Sequence, residues 1–134
     1  AFKNCLSNTT HTVIFNGDIS TVNELRMLQS RFPQIGHWMI GRGLIADPFL
    51  PSMIKADDAH HPPHRIETFA KFHDTLMESY QQQLSGDAHL IMKMHQLWEY
   101  FIHSFPEKIK MLKKIKKARK IVTYEKAVRE IFHN

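Results

Sequence analysis

Two short apolar runs, each stopping at a glycine loop and separated by about one helix's length of chain, limit what this sequence can fold into more than any other feature. Thr12-Val13-Ile14-Phe15 ends at Asn16-Gly17-Asp18, and His37-Trp38-Met39-Ile40 ends at Gly41-Arg42-Gly43. Runs of this kind, rich in β-branched and aromatic residues and bounded by turn residues, read as buried strands. Between them Thr21 and Glu24 stand at capping-box spacing, ahead of Val22, Leu25 and Leu28 at helical intervals, and the pattern stops before Pro33. Asp47-Pro48 then reads as an N-cap with proline at the first helical position, opening a short helix through Phe49, Leu50, Met53 and Ile54. A strand-loop-helix unit that repeats is the unit of parallel α/β folds, so residues 1–55 are expected to be α/β.

The character of the chain changes after Lys55. Residues 56–65, ADDAHHPPHR, are polar, contain two prolines and read as a linker. Beyond it there is no strand signal. Ile66, Phe69, His73, Leu76, Tyr80 and Leu84 form one helical stripe that Gly86 can close, and Ile91, Met94, His95, Trp98, Phe101 and Ile102 form a second, over about 88–104. Ser104 and Glu107 have capping-box spacing with an early proline, Pro106, so a third helix is expected there, carrying Ile109, Leu112 and Ile115. A fourth, near 124–132, buries Ala127, Val128 and Ile131. Residues 66–134 are therefore expected to form a four-helix bundle, and the chain as a whole to run from α/β to mainly α.

Length sets the scale of the first part. A (β/α)₈ barrel needs about 250 residues, and the chain has 134. It begins with Ala rather than Met, inside what looks like an amphipathic segment, so it is expected to be a piece of something longer. No apolar run approaches the roughly 20 residues that span a bilayer, and no leader pattern opens the chain. One cysteine, Cys5, excludes an internal disulfide and a multi-cysteine zinc site. These features read as a soluble, cytoplasmic chain with no membrane partner. Cys5 lies in no motif and reads as a small, buried or half-buried side chain.

The paired glycine loops carry the clearest chemistry. In barrel enzymes the loops after the last two strands, with the start of a short extra helix, often hold a phosphate. Glycines let backbone N–H groups approach an anion, and Arg42 offers a rigid fork of donors. VIFNGDI followed by WMIGRGLIADPFL strongly resembles the end of the flavin-binding TIM barrel of tRNA-dihydrouridine synthases, over about Val13 to Leu50 and more loosely beyond. The resemblance implies the last two βα units of that barrel followed by a helical tRNA-binding domain. It implies that Asn16, Gly17 and Asp18 with Gly41 and Arg42 bind the phosphate end of FMN. It further implies an enzyme that reduces uridine in tRNA to 5,6-dihydrouridine with NADPH as electron donor. The family's catalytic cysteine lies mid-barrel in an Asn-x-Gly-Cys-Pro kind of motif, which this sequence lacks. The chain is thus expected to supply a cofactor site and an RNA-contacting surface without the catalytic acid, and to be inactive alone. Barrel strands taken out of a barrel also expose edges through which the fragment can self-associate, here Val13 to Phe15 and Trp38 to Ile40.

The net charge of +5 is concentrated. Lys108, Lys110, Lys113, Lys114, Lys116, Lys117, Arg119 and Lys120 fall within thirteen residues that contain no acidic side chain. They are expected to contact the RNA backbone, with Arg65, Lys71, Lys93 and Arg129 as candidate extensions. Trp98, Tyr100 and Phe101 could stack on bases, but they lie on or near an apolar stripe and read as core. His60, His61, His64 and His73 lack the ligand set of a zinc site, so no metal is expected. His73 and His95 fall on apolar stripes and read as core or interface histidines with one hydrogen bond satisfied. Two other readings compete: a stand-alone basic helical nucleic-acid-binding protein, which would have no need of the glycine loops, and another FMN barrel of the dihydroorotate dehydrogenase kind, which would have little use for the basic helices.

Overall fold

The computed structural model describes residues 1–133 and is mostly helical, with one small parallel sheet. Helix α1 (Phe2–Ser7) leads into strand β1 (Ile14–Asn16), helix α2 (Val22–Arg31) crosses over, and strand β2 (His37–Met39) pairs parallel to β1. The register sets Ile14 opposite His37, Phe15 opposite Trp38 and Asn16 opposite Met39. The capping box forms as the sequence implies: Glu24 N–H donates to Thr21 Oγ1, and the Glu24 carboxylate accepts from the Thr21 N–H, both at 3.1 Å.

The strands are shorter than the apolar runs and are not buried on both faces. Phe15 and Trp38 point to one side and are half-buried, with ring centroids 5.2 Å apart; Phe2 of α1 and Phe32 pack there too, edge-on to each other. Alternation puts Ile14 and Met39 on the opposite side, each 56% exposed. Cys5, expected to be buried or half-buried, is exposed on α1.

After the second loop come two short helices, α3 (Arg42–Ala46) and α4 (Leu50–Ala56). Asp47 is not an N-cap. Its carboxylate accepts the Phe49 N–H at 3.1 Å, Phe49 takes the cap position, and Pro51 rather than Pro48 lies in the first turn. Val22, Leu50 and Met53 form a small core between α2 and α4.

The connector is tied at several points. Arg26 grips Asp57 with Nε to Oδ1 at 3.0 Å, His61 Nε2 meets Asp47 Oδ2 at 2.6 Å, and Asp57 and His64 both take left-handed backbone conformations. Helix α5 (Arg65–Gln83) and helix α6 (Asp87–Phe101) follow. The third helix expected from Ser104 is broken up: 3₁₀ turns cover Ile102–Ser104 and Pro106–Lys108, and only Met111–Lys117 is α-helical (α7), before α8 (Ile121–Phe132). The expected capping box does not form: Phe105, not Ser104, holds the cap position, and the Ser104 hydroxyl is turned toward the Ala46 carbonyl, to which it donates at 2.5 Å.

Helices α5 to α8 enclose the larger core, built on Phe69, Trp98, Phe101, Phe105, Tyr124 and Ile131. Phe49 packs against both cores and so joins them. A polar chain runs through the larger one: Trp98 Nε1–H donates to Tyr124 Oη at 2.8 Å, Tyr124 Oη lies 2.7 Å from His73 Nε2, and His73 Nδ1 lies 3.0 Å from Asp74 Oδ1. Each donor finds an acceptor if His73 is neutral with its proton on Nδ1. Burial pushes the His73 imidazole below its ordinary range, against the opposing pull of Asp74 and Glu125, and pushes the Tyr124 phenol up.

Because the unfolded chain takes up a proton on His73 before the folded one does, acid favours unfolding. The stabilisation is complete above pH 6.5, the ordinary histidine value, and is lost as the pH falls below it. We expect stability measured by urea unfolding to drop below that pH by up to about 1.4 kcal/mol per pH unit from this group. His73→Gln should flatten that part of the profile; a profile between pH 7 and 5 unchanged by the substitution would refute the assignment.

Candidate functional site

The loops after β1 and β2 meet because one residue has no side chain. A Cβ built on Gly43 would lie 2.0 Å from the Ile19 carbonyl oxygen, so any other residue would drive the loops apart. Ile19 is itself 1% exposed, which fixes the first loop from below. At Gly41 the situation is opposite: a Cβ there would meet nothing within 4 Å.

A cavity of about 750 Å³ opens between the loops, within the roughly 300–1,000 Å³ usual for ligand sites. All five residues expected at a phosphate site, Asn16, Gly17, Asp18, Gly41 and Arg42, lie on its wall. Arg42 is the first residue of α3 and its guanidinium donates to Asp18 Oδ1 at 2.6 Å. Both side chains are largely exposed, and such a pair contributes about 0–1 kcal/mol. A dianion offering two oxygens to the fork can therefore compete with Asp18 for it. Since α3 has five residues, its contribution is the free N–H groups of one turn rather than a long macrodipole.

Two further wall residues, Tyr100 and His103, come from the helical part, and sequence reasoning did not place them here. Trp98 and Phe101 are core, at 0% and 1% exposed, as their stripe implies. Tyr100 falls between them on the half-buried side of α6, and that off-stripe position is the signal that could have separated it from its neighbours.

The basic segment is distributed unevenly. Ile115 and Ala118 are buried and root it in the core. The carboxylates missing from the segment itself arrive from other helices: Lys114 pairs with Glu130 of α8, and Lys116 with Glu99 of α6. Arg119 donates to the Lys116 carbonyl at 2.9 Å. Among the described residues, Lys108, Lys110, Lys113, Lys117 and Lys120 have no carboxylate in ion-pair reach. Three of the suggested extensions are otherwise engaged. Arg65 donates to the Ser104 carbonyl at 3.0 Å and lies over the Phe105 ring, Lys93 lies over Tyr80, and Arg129 faces Glu125. Lys71 is exposed on α5.

The three connector histidines each meet a different carboxylate: His60 on Asp58, His61 on Asp47, His64 3.8 Å from Glu67. Backbone and side-chain bonds from His60 hold the Asp58 carboxyl below its usual range. His95 Nε2 is enclosed without a hydrogen-bond partner, and burial, with Arg119 and Lys116 nearby, lowers that imidazole's basicity. No helix among the described residues is long and apolar enough to cross a membrane.

A parallel strand pair whose loops frame one cavity at the carboxyl ends of the strands, continued by helices with a basic face, defines an α/β to mainly α class of protein. The family model for dihydrouridine synthase (Dus) matches residues 3–133, and the chain belongs to that family. Its members are oxidoreductases that act on uridines of tRNA. No curated protein sequence matches the chain.

The two glycines give opposite expectations. Gly43→Ala should destabilise the chain by on the order of 1–3 kcal/mol, whereas Gly41→Ala should leave its urea midpoint within error. Equal midpoints for the two variants would refute the close approach at Ile19.

Proposed function

We propose that this chain is the C-terminal part of a flavin-dependent tRNA-dihydrouridine synthase. In this reading residues 1–55 are the last two βα units of a TIM barrel, 56–65 a linker and 66–134 a helical tRNA-binding bundle, in a cytoplasmic enzyme. The observation that carries it is the convergence of Asn16, Gly17, Asp18, Gly41 and Arg42 on one cavity. The exposed Ile14 and Met39 support it further, since they leave two large apolar side chains uncovered, beside Asn16 and His37, on the strand face that a complete barrel would cover. That same face is where an isolated piece would self-associate.

The cavity suits the phosphate end of FMN. Its donors are the Arg42 fork, the Asn16 amide and loop N–H groups, and the open space at Gly41 is room that a side chain would fill. FMN held there would supply hydride chemistry for reduction of the uridine C5–C6 double bond, with NADPH as electron source in the complete enzyme. The residues of this chain bind and orient. Arg42 would hold two phosphate oxygens, Asn16 and the glycine loops would fix the register of the phosphate, and Asp18 would keep the guanidinium in place until the anion arrives. Cys5, exposed on α1 and outside any Asn-x-Gly-Cys-Pro setting, provides no acid for the base. The chemistry therefore requires groups from the rest of the barrel.

For RNA, the lysines without carboxylate partners would contact the phosphate backbone, while Lys114 and Lys116 are already committed to Glu130 and Glu99. Replacing Lys110, Lys113, Lys117 and Lys120 by Ala should reduce the slope of log affinity for tRNA against log salt by about three to four units. Replacing Lys114 and Lys116 should change it less. A slope unaffected by the fourfold variant, read by filter binding over a salt series, would remove this face from the RNA interface.

A further inference from the structure

Tyr100 and His103 reach the cavity from the helical part, where nothing in the βα pair requires them. Tyr100 lies one residue before the end of α6, and His103 in the 3₁₀ turn that follows. The backbone between and beyond them is fixed on two sides. Phe101 and Ile102 are each 1% exposed in the helical core. Ser104, 9% exposed, donates through its hydroxyl to the Ala46 carbonyl at the end of α3, and its own carbonyl accepts from Arg65. The segment is thus held both to the helices and to the short helix that Arg42 begins, while the half-buried Tyr100 and exposed His103 remain on the cavity wall.

Both side chains carry donors suited to an anionic oxygen, a phenol O–H and an imidazole N–H. The carboxylate on the same wall, Asp18, is paired with Arg42. The wall therefore joins loop donors on one side to helical donors on the other. Resting on the mononucleotide reading above, we infer that Tyr100 and His103 are ligands of the phosphomonoester, so that the bound phosphate bridges the strand pair and the helices. A ligand that touches both parts binds best when they are docked, and it stabilises that docking in return. Cofactor loading and the placement of the tRNA-binding helices then become one coupled equilibrium.

The test uses the full chain, with FMN titrated by flavin fluorescence and inorganic phosphate as competitor. Tyr100→Phe and His103→Ala are each expected to weaken FMN about tenfold, the effect of losing one hydrogen bond to a charged group, and His103→Ala to weaken phosphate as well. Urea midpoints without ligand should stay unchanged; if His103→Ala shifts its midpoint, His103→Gln and Tyr100→Phe decide. Phosphate should also slow amide hydrogen exchange at residues 101–105 together with residues 41–46. If Arg42→Ala weakens FMN and the Tyr100 and His103 variants do not, the bridge is wrong and the loop site stands. If Arg42→Ala also has no effect, or neither FMN nor phosphate binds, the loop site falls and the bridge with it.

Discussion

The approach of the Gly43 backbone to the Ile19 carbonyl is the contact on which the arrangement of the rest depends. A hydrogen at that position lets the two loops meet, whereas a methyl would stand 2.0 Å from a backbone oxygen and force a loop to shift against the packed Ile19. With the loops together, α3 starts where Arg42 can reach Asp18, and the last residues of α3 come within reach of Ser104. Parallel pairing alone would not produce this result. It brings Asn16 level with Met39, but loop positions beyond the strands are set by what can fit between them.

The helical part is fixed by a different device. Its core is mostly hydrocarbon and ring, which tolerates repacking, yet Trp98, Tyr124, His73 and Asp74 form a directional chain that only one arrangement satisfies. Buried polar chains of this type narrow the set of acceptable packings, because a half-satisfied one costs more than an apolar core. The basic segment is rooted in that core by Ile115 and Ala118, and at the surface Lys114 and Lys116 pair with Glu130 on α8 and Glu99 on α6. That division separates lysines with a carboxylate beside them from lysines without one.

Local signals were legible in the sequence wherever a short stretch decides its own geometry. The Thr21 to Glu24 capping box and the glycine loops after each strand are of this kind, and the loop residues Asn16, Gly17, Asp18, Gly41 and Arg42 line one cavity. Signals failed where contacts outside the local pattern set how a side chain is turned. Ser104 and Glu107 have the spacing of a cap, but the Ala46 carbonyl takes the Ser104 hydroxyl. Asp47 precedes proline as an N-cap would, but one carboxylate oxygen serves Phe49 and the other His61. The lysine run looked unpaired because the two carboxylates that meet it lie on other helices, and His103 carries no local pattern that would place it beside loops about sixty and about eighty-five residues earlier.

The two tryptophans fall one in each part of the molecule. Trp98 is sealed in the helical core beside His73, with ring centroids 5.8 Å apart, whereas Trp38 lies half-covered on the sheet against Phe15. A buried indole emits at shorter wavelength than a wetted one, so the strand pair and the helices report in different colours. The chain carries its own record of whether its two parts come apart together or in turn.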